Sequence, residues 1–211
     1  MKNRNPYLVL FLAMTIFICS SCEKETTDLK SPPSYQAIDQ LPEFVPINAI
    51  EVLKSLNMPI NEGSSIDVKM GTYYVDPCNL KNSTLCDDEI GCKMNSFSII
   101  LSKQDPNSEI INLKIESSNS RAISYDSAII GNDNKFTLFA RSRIYNSMSP
   151  GEYIIAISGE FIDRGIKDVH IGYYMLNNSG NSLSEIMGNS ECRVLYDPDA
   201  ISDKVLIRTI N

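Results

Sequence analysis

Apolar residues recur along this chain in two rhythms. Beyond Asp67 they fall at every second position. Phe97, Ile99 and Leu101 alternate with Ser96, Ser98 and Ser102, and Ile111, Leu113 and Ile115 alternate with Asn112, Lys114 and Glu116. Successive side chains of a strand point to opposite faces, so this spacing predicts strands with one buried face. The pattern returns at Ile123, Tyr125 and Ile129, at Phe136 and Leu138, at Tyr153, Ile155 and Ile157, and at Val169, Ile171, Tyr173 and Met175. Turn-forming runs separate these strands: Asp105-Pro106-Asn107, Gly131-Asn132-Asp133-Asn134, Ser149-Pro150-Gly151, Asp163-Arg164-Gly165 and Asn177-Asn178-Ser179-Gly180. Connections this short make successive strands antiparallel, because a parallel pair needs a crossover of about a dozen residues. The expectation is a mainly β protein, a largely up-and-down meander. Eight or nine strands strain a single open sheet, which leaves a barrel or a sandwich. The barrel is preferred because a meander closes without the Greek-key connections of most sandwiches.

The other rhythm is helical and occurs once. Ile47, Ile50, Leu53 and Leu56 repeat at threes, with Ala49 and Val52 widening the stripe. Pro46 suits a first helical turn, and Asn57 and Pro59 suit an end, which predicts a helix over 46–57. A helix of about three turns is marginal alone. It is expected to pack over an edge or open end of the β domain.

The N-terminus has the order of a secretory signal. Lys2 and Arg4 precede an apolar run from Tyr7 to Cys19, interrupted only by Thr15. Thirteen helical residues span roughly 20 Å of a hydrocarbon core about 30 Å thick, too little for a transmembrane helix. Small residues then lead to Cys22, after which the chain turns polar at Glu23-Lys24-Glu25. This segment resembles the lipobox of bacterial lipoproteins. The resemblance implies a signal peptide over 1–21, cleavage before Cys22 and lipid on its thiol. Cys19 departs from the Leu-like residue that the family prefers, as in the looser Bacteroidetes-type signals that "SSCEKE" resembles. The acidic residues after Cys22 also resemble export signals that carry such lipoproteins to the cell surface. Residues 22–45, with Ser31-Pro32-Pro33-Ser34 and few large apolar side chains, are expected to form a flexible tether to a single domain over 46–211.

Charge narrows the partners. Cleavage removes Lys2 and Arg4 and no acid, which takes 19 basic residues to 17 against 26 acidic, a net charge of −9. Long-range attraction to nucleic acid or anionic lipid is therefore not expected.

Several segments together resemble a group of uncharacterised Bacteroidetes lipoproteins: Met58-Pro59-Ile60, Gly71-Thr72-Tyr73-Tyr74, Gly131 to Phe139, Ile157-Ser158-Gly159, Gly165-Ile166-Lys167-Asp168 and Arg193-Val194-Leu195-Tyr196-Asp197. The resemblance spans roughly residues 45–203 and implies an outer-membrane or cell-surface location without an assigned activity. Gly71-Thr72-Tyr73 is also similar to the first strand of lipocalin-like barrels, in which a glycine and an aromatic close one end.

Candidate chemistry is sparse. With Cys22 acylated, Cys78, Cys86, Cys92 and Cys192 remain, and an oxidising compartment would make them two disulfides with three possible connectivities. Cys78 and Cys86 flank a loop and are expected to staple it, leaving Cys92 to reach Cys192. Their spacings lack the close Cys-x-x-Cys pairs of structural zinc, so no metal is expected. His170, the one histidine, alternates with Val169 and Ile171, and no nucleophile elbow accompanies it. The acidic runs Asp87-Asp88-Glu89 and Asp197-Pro198-Asp199, with Asp203, lack the spacing of a calcium loop. Ser127, in an Asp-Ser-Ala run that matches a short O-glycosylation pattern, is expected to face inward with Ile123, Tyr125 and Ile129. No catalytic residue and no cofactor is expected.

The leading expectation is thus a lipid-anchored, non-enzymatic envelope module, held on the membrane through Cys22. It would bind an envelope protein, a glycan or a small amphiphile through its loops or an open barrel end. A glycan hydrolase is the alternative, with convergent carboxylates about 5–10 Å apart and a stacking platform drawn from Tyr73, Tyr74, Tyr153, Tyr173 or Tyr174. An accessory subunit of an outer-membrane complex is the third.

Overall fold

The computed structural model describes residues 41–103, 111–145, 151–179 and 187–205. The expected signal peptide, Cys22, the tether as far as residue 40 and the Asp105-Pro106-Asn107 turn lie outside the described residues. Among the described residues no helix is long and apolar enough to cross a membrane.

The protein is mainly β. Among the described residues one helix, α1 (Ile47–Ser55), precedes β1 (Ser64–Ile66), β2 (Gly71–Val75), β3 (Cys78–Ser83), β4 (Lys93–Met94), β5 (Phe97–Lys103) and β6 (Ile111–Ser117). Then come β7 (Arg121–Asp133), β8 (Lys135–Tyr145), β9 (Gly151–Phe161), β10 (Gly165–Asn177), β11 (Cys192–Tyr196) and β12 (Ile201–Lys204). Strands β5 to β10 pair consecutively and antiparallel, as the short turns require.

The ends of this meander meet through strands distant in sequence. β2 pairs with β5, and β12 pairs both with β2 and with Gly165–Lys167 of β10, so eight strands are linked in a ring. The rest of that edge of β10, His170 to Tyr174, pairs instead with β11, which carries β3 and β4 as a branch. Asp168 marks the fork: it has a left-handed backbone (φ 53°) where the β9–β10 register shifts, and its N–H donates to the carbonyl of Ala200. Among the described residues one pairing is parallel, β1 with β7. Gly63 and Gly131 allow that approach, since a Cβ on Gly63 would lie 2.3 Å from the carbonyl oxygen of Gly131.

The predicted alternation holds in β5 and β6, whose Phe97, Ile99, Leu101, Ile111, Leu113 and Ile115 are buried in the ring's inner apolar cluster. It fails in β8 and β9, where Phe139, Ile154 and Ala156, on the other face, are buried as well. The cause is the helix. Rather than capping an edge or end, α1 lies on the outer face of the sheet. Its Ala49, Ile50 and Leu53 join Phe139, Ile154, Tyr174 and Val194 in a second cluster. Gly172 permits the contact, because a Cβ there would stand 2.2 Å from Leu53 Cδ2. Asn57 (φ 59°) ends the helix: its N–H bonds to Lys54 and that of Met58 to Leu53, while Met58 and Leu53 share the outer cluster.

β7 departs from expectation too. A register shift between Ile123 and Asp126 turns the strand over, so that Ala122 and Ile129 pack with the inner cluster while Ile123 belongs to neither. Ile123 and Ile129 therefore do not share a face. Ser127 is half-buried, with its hydroxyl donating to the carbonyl of Ile111.

Candidate functional site

The two ends of the ring differ in how the interior is filled. At one end, near the turns between β7 and β8 and between β9 and β10, Phe136 and Phe161 stack with centroids 4.2 Å apart, and Tyr73 tilts against Phe161 at 6.2 Å. All three are fully buried, and the Tyr73 hydroxyl donates to the Lys69 carbonyl at 2.5 Å. Burial pushes the Tyr73 phenol up to about 12.

The opposite end holds a cavity of about 210 Å³. Phe97, Ile115, Ala122, Ile144 and Leu195 give it apolar walls, and Met94 and Met187 add polarisable thioethers. Tyr153 and Tyr173 meet edge to face at 6.5 Å in the same wall. Ser117, Ser120, Asn95 and Arg193 supply its polar groups.

Arg193 is clamped. Its Nε and Nη2 donate to the two carboxylate oxygens of Asp88 at 2.7 and 2.8 Å, and the Ser83 hydroxyl donates to the same carboxylate. The guanidinium hydrogen bond holds the Asp88 carboxyl below the usual carboxylate range, more strongly than burial raises it. The acidic run 87–89 thus gives one carboxylate to Arg193 instead of a calcium loop. The only sequence signal was a lone base, Arg193, inside an apolar strand.

Comparison with protein-family models, with curated proteins and with solved structures returns no match. The site therefore rests on its own chemistry.

The four cysteines are free thiols, and neither expected bridge is formed. Cys78 is buried in the inner cluster while Cys86 is exposed on the loop, with its thiol toward Asp87. Cys92 packs against the inner cluster and Cys192 is buried in the outer one, so the sheet lies between them. Burial pushes both Cys78 and Cys192 up to about 12.

His170 lies away from the cavity, on the outer face. Its Nε2 is 2.7 Å from Lys81 Nζ and its Nδ1 is 2.9 Å from the Asp168 carbonyl. An ammonium can only donate, so the ring is neutral with its proton on Nδ1. Burial lowers the His170 pKa, which favours the neutral ring, and lowers that of Lys81 as well.

Among the described residues no carboxylate lines the cavity. A separate polar cleft gathers Glu62, Asp133 and Glu160 beside Asn61 and Lys135, with Glu62 3.7 Å from Lys54 and Glu160 3.9 Å from Lys167. Of the tyrosines offered as a sugar platform, Tyr153 and Tyr173 share the cavity wall, Tyr73 and Tyr174 are core residues, and Tyr74 is exposed.

Asp197 is 4 % exposed, accepts from the Ser202 hydroxyl at 2.7 Å and from the Asp199 N–H at 3.2 Å, and ends β11. Burial raises its pKa to about 6, against the lowering effect of Ser202. Between about pH 4 and 6 an unfolded chain ionises this carboxyl before the folded one does, so its contribution to stability falls as pH rises through that window and is level above it. Urea midpoints across this range are expected to fall less steeply in Asp197→Asn than in wild type. Parallel curves would remove Asp197 as the cause.

Proposed function

We propose that the protein is a lipid-anchored envelope module, tethered through Cys22, whose eight-strand ring is a barrel plugged at one end and open at the other to a small amphiphilic ligand. The observation that carries this reading is the cavity, in which apolar walls meet a polar rim at Arg193. The lipobox and the polar segment after it support an extracytoplasmic address, and incorporation of labelled palmitate, lost in Cys22→Ala, tests that part.

Ligand pockets combine apolar walls with a few convergent polar groups, and this cavity has that composition. At about 210 Å³ it is smaller than the ~300–1,000 Å³ of drug-sized sites, so it suits a short chain or a single ring.

Octanoate, octanol and octylamine serve as probes in calorimetric titrations. Wild type is expected to bind at least one of them, and Ala122→Phe, which places a ring in the cavity, is expected to weaken that binding about tenfold or more while the protein stays folded by circular dichroism. Failure of all three probes, or equal affinity in folded Ala122→Phe, would refute the reading.

A further inference from the structure

The hairpin of β3 and β4 brings three sulfur atoms to one face. Cys78 and Met94 are cross-strand partners in register. The turn side is fixed by hydrogen bonds from Leu80 N–H to the Cys92 carbonyl at 3.0 Å and from Gly91 N–H to the Leu80 carbonyl at 2.8 Å. Cys78 belongs to the ring's inner cluster, and Cys92 and Met94 pack against it, so all three side chains point inward. The Cys92 Sγ and Met94 Sδ are 3.8 Å apart. Directly opposed Cβ atoms stand about 4.5–5.5 Å apart, which brings the Cys78 thiol within reach of Met94.

We propose that Cys78, Cys92 and Met94 form a binding site for a soft monovalent metal ion, Cu(I) or its redox-inert analogue Ag(I), beside the cavity that Met94 lines. Two sulfurs each about 2.3 Å from a shared ion, at an angle near 110–120°, are separated by about 3.8–4.0 Å. The Cys92–Met94 pair already has that separation. Thiolate and thioether ligands select Cu(I) over ions that prefer nitrogen or oxygen. Harder ions lack a comparable set, because the described residues contain no cluster of three His, Cys, Asp or Glu side chains able to hold a metal.

Access comes from the cavity. Met94 lines it. Binding would form metal–sulfur bonds at both thiols and the thioether and release the two thiol protons to solvent, with no change of oxidation state. Affinity therefore rises with pH as protons compete less for sulfur. The site does not depend on an organic ligand entering the cavity.

The test uses the full chain, reduced and kept anaerobic, with Cu(I) delivered from bicinchoninate and Ag(I) in parallel. One ion per chain is expected. Cys92→Ser and Met94→Leu, at half-buried positions that keep the fold, are each expected to lower affinity at least ~10-fold, the loss seen even for residues that only support a metal ligand. Cys86→Ser on the loop and Cys192→Ala under the helix should retain wild-type affinity. No transfer of metal from the chelator, or an equal loss in the Cys86 and Cys192 variants, overturns the proposal. So does a Cys78–Cys92 disulfide that persists in the protein isolated without reductant from its native envelope.

Discussion

Asp88→Ala is expected to lower the unfolding free energy by about 3 kcal/mol at pH 7, measured by urea denaturation, because it strands the Arg193 guanidinium at a mostly buried site. The two side chains retain only 15 % and 23 % of their exposure, and both carboxylate oxygens are engaged by Arg193. The folded-state pKa of Asp88 is depressed, so the pair's contribution is present above the ordinary carboxylate range and fades as pH falls through the folded value. The gap between wild type and variant should close in acid. The same substitution leaves a net positive charge on the cavity, so octanoate should gain affinity relative to octylamine. An unchanged octanoate-to-octylamine ratio in folded Asp88→Ala would separate Arg193 from ligand binding, and an unchanged urea midpoint would show that the pair contributes little to stability.

Phe136→Ala at the plugged end is expected to lower stability by about 3–5 kcal/mol, read as a fall in thermal midpoint and urea midpoint together. Phe136 is fully buried and stacks on Phe161, and a truncated side chain leaves a void in an interior with little freedom to collapse. Because the cavity lies at the other end of the ring, octanoate affinity in the folded variant should remain near wild type. A loss below about 1 kcal/mol would mean that the surrounding strands close over the gap.

How far the sequence specified this molecule depended on how local the cause was. The strands β5 and β6 were legible because Phe97, Ile99, Leu101 and Ile111, Leu113, Ile115 bury one face and leave Ser98, Asn112 and Lys114 on the other. The end of α1 was legible because Asn57 and Pro59 act on their own neighbours. The placement of α1 was not, since it depends on Gly172, more than a hundred residues away, offering Leu53 a flat surface. The reversal of faces in β7 escaped as well, because the register shift before Asp126 has no signature in the spacing of apolar residues. At the cavity, Tyr153 and Tyr173 were visible as candidate aromatics, but Asp88 and Arg193 are separated by 105 positions and meet only through folding.

The way the ring is completed also sets an order for its assembly. Six strands from β5 to β10 can pair with their neighbours as the chain proceeds, at little loop-closure entropy. The final joints are different: Tyr73 and Tyr74 in β2 must find Lys204 and Asp203 in β12, across some 130 residues. Long-range contacts of this kind form late, so interactions at that seam act mainly on the rate of opening rather than on the rate of folding. Weakening this two-residue seam, contributed by the shortest ring strand, is therefore expected to quicken unfolding more than it slows folding, although most of the buried surface lies elsewhere.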